Sequence, residues 1–94
     1  MLDLRLREGG VVALVGRLDA SESDRALVEL NKLPGPLTLD CTDLEYISSA
    51  GISVIVLTYK RLTGQGQVLA FAGMVPRVKN VFVYAGLAKL LGIQ

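Results

Sequence analysis

The segment ISVIVLTY, residues 52–59, constrains the fold more than any other stretch, because its composition and its spacing point to different structures. Isoleucine and valine favour strands, yet Ile52, Ile55, Val56, Tyr59 and Leu62 recur at the interval of a helix face. The flanks decide for a helix. Ser48, Ser49 and Gly51 precede the run, and serine oxygens satisfy the free N–H groups of a first turn. Lys60 and Arg61 sit near the negative end of the helix dipole, and Gly64 ends the run. A helix is expected over residues 50–63. If Ile52, Ile55, Val56 and Tyr59 face a sheet, then Ser53, Val54, Leu57 and Lys60 point outward or lie on the flanks. Val54 and Leu57 would then form an exposed apolar pair beside the serines, either a docking patch or packing for a neighbouring helix.

The rest of the chain supplies a sheet for this helix to lie on. Leu2, Leu4 and Leu6 alternate with Asp3, Arg5 and Arg7, the period of a strand with one buried face. Gly9-Gly10 turns the chain into a second strand over residues 11–16. Ser21 and Asp24 have the spacing that opens a helix, which Pro34-Gly35-Pro36 stops. LTLDCT, residues 37–42, reads as a buried strand, and QVLAFA, residues 67–72, as another. A last helix begins at Pro76 and ends near Gly86, followed by a short tail. The order β-β-α-β-α-β-α predicts an α/β fold, a mixed sheet of four to five strands with helices packed on it. Ninety-four residues, 51% of them hydrophobic, suffice for one core, so residues 1–94 are expected to form a single domain.

Charge and residue usage narrow the chemistry. Ten basic residues against nine acidic ones give no bulk field toward nucleic acid or an anionic membrane. Neither a signal sequence nor a run long enough to insert in a membrane is found, and the single cysteine, Cys41, suits a reducing compartment. A cytoplasmic protein with no nucleic-acid partner and no direct membrane insertion is expected. Cys41 reads as a buried, inert thiol within a strand. Histidine is absent, which removes Ser-His catalysis and the commonest metal sets. Neither a metal nor a cofactor is expected, and no catalytic residue is assigned. A hydrolase built on Ser49 would lack both a histidine base and the Gly-x-Ser-x-Gly elbow. The glycine-rich turn at residues 63–66 lacks the order of a phosphate-binding loop.

Read in order, GRLDA at residues 16–20, LDCTDLEYISSAGISVIVLTYKRL at 39–62, QVLAFAG at 67–73 and PRVKNVFVYAGLAKLL at 76–91 resemble STAS domains, in particular bacterial anti-sigma factor antagonists. The resemblance implies the STAS fold. It also implies partner switching, in which the antagonist binds an anti-sigma factor that is a serine kinase, is phosphorylated by it, and is restored by a serine phosphatase. The family's phosphoacceptor lies two residues before the helix glycine, which is Ser49 in Ser48-Ser49-Ala50-Gly51-Ile52. Ser48 stands where the family usually has aspartate and is the second choice of acceptor. Asp19 matches a family aspartate near the switch, with a role in placing the hydroxyl or the kinase nucleotide, or simply that of a capping carboxylate. The expected partner surface comprises Asp19, Ser48, Ser49, Gly51, Ser53, Val54 and Leu57. Gly51 reads as room for close approach, by a partner or by another backbone element. A different expectation is a STAS accessory subunit of a membrane lipid or anion transporter complex, working without phosphorylation.

Overall fold

A computed structural model describes residues 1–93. The chain opens with an antiparallel hairpin, β1 (Leu2–Arg7) and β2 (Val11–Leu18), in which Leu4 lies opposite Leu14 and Leu6 opposite Val12. Helix α1 (Ala20–Asn31) follows, then β3 (Leu37–Asp40), β4 (Leu44–Ile47), α2 (Ser49–Gly64), β5 (Leu69–Ala72), α3 (Pro76–Tyr84) and α4 (Ala88–Leu91). The sheet order is β1-β2-β3-β5, with β4 also paired to β2.

Strand β2 organises the sheet by changing neighbours along its length. Val11–Ala13 pair in parallel with β3, and Gly16–Leu18 pair in parallel with β4, with an irregularity between Gly16 and Arg17. Gly16 allows the change. Its φ is +108°, and a Cβ there would stand 2.3 Å from the Met1 carbonyl oxygen, which accepts the Arg17 N–H at 2.8 Å. β3 and β4 thus form one interrupted strand, and β4 ends where α2 begins.

Register assigns the faces. Leu4, Val12, Leu14, Leu37, Leu39, Leu69 and Phe71 share one side of the sheet and join the core with Leu30 of α1, Ile55 and Leu62 of α2 and Phe82 of α3. Phe71 and Phe82 meet with ring centroids 6.5 Å apart. The opposite side carries Asp3 paired with Arg5, Arg7 paired with Asp40 at 3.0 Å, and Arg17 stacked on Tyr46 at 4.3 Å. One face is therefore apolar and covered by helices, the other polar.

The two long helices lie side by side, and Arg61 ties them. Its guanidinium donates to the Leu30 and Leu33 carbonyls at 2.9 and 3.1 Å, at the end of α1 where helix carbonyls lack partners. α2 is thus enclosed by the sheet on one side and by α1 on the other, and this widens its buried arc to Gly51, Val54, Ile55, Thr58 and Leu62. The expected exposure of Val54 is corrected here: it is 4% exposed. Gly51 and Thr58 mark the true inner face although neither is a large apolar residue. Spacing the large apolar residues alone rotates the inferred face by roughly one residue's step of 100°. Thr58 is accommodated because its hydroxyl donates to the Val54 carbonyl at 2.8 Å.

Three further differences have local causes. Residues 44–47 form a strand where the sequence reads as a lead-in to the helix, because Leu44 and Ile47 are buried beside β2 while Glu45 and Tyr46 face out. Ser21 does not open α1. The cap is Asp19, and Ser21 instead donates to its carboxylate at 2.7 Å. The tail contains the turn α4, which buries Leu91.

Candidate functional site

The carboxyl ends of β2 and β4 lie next to each other, with Leu18 and Ile47 in register. The next residue on each strand, Asp19 and Ser48, is a helix cap, so the N-termini of α1 and α2 open at the same end of the sheet. A hydrogen bond from the Ser48 N–H to the Leu18 carbonyl, 3.0 Å, fixes this junction.

The two serines have different surroundings. Ser48 is half-buried, and its oxygen accepts the Gly51 N–H at 3.1 Å, the cap bond of α2. The Ser48 hydroxyl also reaches the Leu18 carbonyl at 3.4 Å. Ser49, the first residue of α2, is exposed, and its hydroxyl has no hydrogen-bond partner among the described residues. Its carbonyl accepts the Ser53 hydroxyl at 3.2 Å. Ser49, Ser53 and Leu57 are exposed at successive intervals of four residues, with Lys60 next on the same stripe. Leu57 is 49% exposed and lies about 12 Å along the helix from Ser49.

Of the expected partner surface, this stripe holds Ser49, Ser53 and Leu57, flanked by half-buried Ser48 and Asp19. Val54 and Gly51 face the protein's own interior. A Cβ on Gly51 would meet the Leu18 carbonyl oxygen at 2.6 Å and side-chain carbons of Ile47 and Leu18 at 2.8 Å, so the close approach is made by β2. Tyr46, 40% exposed under the Arg17 guanidinium, borders the same end of the sheet; its alternation with buried Ile47 is the signal for this placement in the sequence.

The electrostatics of the site are local. The hydrogen bond from the Ser21 hydroxyl holds the Asp19 carboxyl below the usual aspartate range, more strongly than partial desolvation raises it. No acidic residue occupies the first turn of α2, so its positive dipole end is uncompensated, while Asp43 and Glu45 are exposed just upstream. A phosphate on Ser49 would meet free N–H groups of the first helical turn. Cys41 lies apart from the site, buried, with its thiol pushed up to about 12 by desolvation and then by the charge of Asp40. Among the described residues no cluster of His, Cys, Asp and Glu has the make-up to hold a metal ion. No helix among them is long and apolar enough to cross a membrane.

Comparison with known proteins addresses the fold and the family. No curated protein matches the sequence. A candidate anti-sigma factor antagonist from Thermotoga maritima superposes with a TM-score of 0.79 at 22% identity, covering 96% of this chain and 82% of that one. A sulfate transporter family protein from Wolinella succinogenes gives 0.76 at 17% identity, covering 94% and 76%. The anti-sigma factor antagonist SpoIIAA in its unphosphorylated form gives 0.69 at 13% identity, covering 89% and 83%. The Bacillus SpoIIAA in its phosphorylated form gives 0.72 at 14%, covering 95% and 86%. These likenesses show a shared fold. A family model described as "Mlab, STAS domain" matches residues 4–92, nearly the whole length, and the chain belongs to the STAS domain family.

Proposed function

We propose that the chain is an anti-sigma factor antagonist of the partner-switching kind, a binding module, acting as one STAS domain over residues 1–94, whose stripe Ser49-Ser53-Leu57 docks on an anti-sigma factor with serine kinase activity. The observation that carries the reading is the division of labour between the two serines. Ser48 is committed to capping α2, while Ser49 offers an exposed hydroxyl with no internal partner. A kinase can reach Ser49 without unfolding anything. Phosphorylation adds a charge of about −1.5 to −2 to an interface that otherwise receives a neutral hydroxyl and the apolar Leu57. The partner is lost by repulsion and desolvation, and a serine phosphatase restores binding. A loss of about 3 to 4 kcal/mol weakens affinity several hundredfold, sufficient for a switch.

The test is affinity against the chain's own kinase-type partner by calorimetry. Ser49→Asp is expected to bind several hundredfold more weakly with an unchanged fold, and Leu57→Asp to weaken binding as well. Unaltered affinity of Ser49→Asp would remove the proposal. The matching family description and the Wolinella sulfate transporter family neighbour favour a second reading, an accessory subunit of a membrane lipid or anion transporter complex. There the same stripe would dock on a transporter ATPase with Ser49 unmodified, and co-purification with that ATPase and no kinase distinguishes it.

A further inference from the structure

Strands β1 and β5 end the path β1-β2-β3-β5 through the sheet, and the chain treats them differently. The β1 edge is guarded. Asp3, Arg5 and Arg7 line its open side, the Leu2 N–H donates to the Glu22 carboxylate at 2.8 Å, and the Leu2 carbonyl accepts from Arg25. Charges and occupied backbone groups of this kind keep foreign strands away.

β5 has neither device. It contains no charged residue, and Ala70 and Ala72 are exposed on its outer face. The Leu37 N–H donates to the Val68 carbonyl at 3.0 Å and the Cys41 N–H to the Ala72 carbonyl at 2.8 Å. Alternation along the ladder therefore directs Ala70 and Ala72 toward β3 and turns the N–H and C=O of Leu69 and Phe71 to the free side. Those four groups have no partner among the described residues. A groove of about 520 Å³ runs beside them, walled by Met74 and by Leu91 and Ile93.

Basic residues predominate on the segments that follow and precede the walls of this groove, with the Asp40 carboxylate beside Gly73 at its rim. All nine acidic residues precede residue 46, whereas residues 46–94 carry Lys60, Arg61, Arg77, Lys79 and Lys89. Arg77 and Lys89 are exposed on the segments that follow Met74 and precede Leu91. The nearest carboxylate in register, that of Asp40 opposite Ala72, is already engaged by Arg7 and Thr42.

We propose that the free edge of β5 takes up an extended peptide segment of a partner protein, with acidic flanks, as an added strand beside Leu69 and Phe71. Backbone hydrogen bonds hold such a segment, its apolar side chains enter the groove against Met74, Leu91 and Ile93, and its carboxylates face Arg77 and Lys89. This surface is separate from the Ser49 stripe, and none of its residues belongs to it.

The experiment is amide NMR of the full chain titrated with a capped heptapeptide of alternating valine and threonine flanked by aspartates. Two further versions are N-methylated on alternate sets of amides, and one is flanked by lysines. Shifts and slowed hydrogen exchange are expected at the Leu69 and Phe71 amides. One N-methylated version should bind about tenfold more weakly per bond removed. The lysine-flanked peptide should bind at least about tenfold more weakly, with Lys89→Glu narrowing that gap. Three results would overturn the proposal: silent Leu69 and Phe71 amides at millimolar peptide, equal affinity of both methylated versions, or the same shifts from self-association without peptide. Shifts produced by anionic lipid vesicles but not by the peptide would assign the positive charge to a membrane surface and likewise overturn it.

Discussion

Helices α1 and α2 start side by side from the ends of β2 and β4, and they meet the same requirement with different chemistry. At the cap, α1 has Asp19 and α2 has Ser48; at the third helical position α1 has Glu22 and α2 has Gly51. The start of α1 is charged and turned on its own chain, with Asp19 held by Ser21 and Glu22 accepting the Leu2 N–H. The start of α2 is neutral and small. Ser48 caps it, Gly51 lets the Leu18 carbonyl approach, and Ser49 is left unengaged. The difference teaches where charge can still be added. A phosphate at α1 would meet Asp19 and Glu22, whereas the first turn of α2 has no carboxylate to repel it.

The steric half of this comparison gives the largest expected effect. Gly51→Ala forces a methyl group against the Leu18 carbonyl and the Ile47 side chain, and should destabilise the fold by about 1–3 kcal/mol in urea unfolding. Glu22→Ala, at the matching position of α1, should destabilise less, by leaving the Leu2 N–H without its acceptor. A neutral Gly51→Ala would break the claim that α2 is seated by close approach.

The caps come next. Ser48→Ala removes the bond to the Gly51 N–H and should cost about 1 kcal/mol. The Asp19 carboxylate is held chiefly by the Ser21 hydroxyl, with helix N–H groups secondary, so Asp19→Ala should cost less than Ser48→Ala. Equal costs in denaturant melts would erase the distinction between the two starts.

The smallest effect is in acid. The Leu2 N–H, and then Arg25, depress the Glu22 carboxyl, as Ser21 depresses that of Asp19. Folded values below unfolded ones mean a contribution fully present above the unfolded pKa and lost as pH falls through the folded one. Stability should therefore drop on acidification, and Glu22→Gln should flatten that drop. The penalty of Ser48→Ala should be the same at neutral and acid pH, because no titrating group makes its bond.

Much of this layout is legible in the chain itself. The β1–β2 hairpin, the strands around Leu39 and Leu69 and the helix through Ile55 follow from period, turn residues and flanks. The proposed acceptor position rests on the resemblance of SSAGI to a family motif. What escaped depends on tertiary context. Four residues, LEYI, make a strand only because β2 stands beside them. Val54 is hidden because α1 covers the side of α2 that the sheet does not, and two of the residues marking the inner face, Gly51 and Thr58, carry no apolar signal. The Ser21-x-x-Asp24 spacing was overridden by Asp19, which lies directly after the strand and captures Ser21 as its own donor.

The central claim is that Ser49, and not Ser48, is the modified residue. Phosphopeptide mass spectrometry after incubation with ATP and the chain's serine kinase, on wild type and Ser49→Ala side by side, tests it most directly. One added phosphate on Ser49 is expected in the peptide spanning residues 33–60, and none in the variant. Equal phosphorylation of the variant, or an unmodified wild type beside a kinase shown to be active on itself, would contradict it.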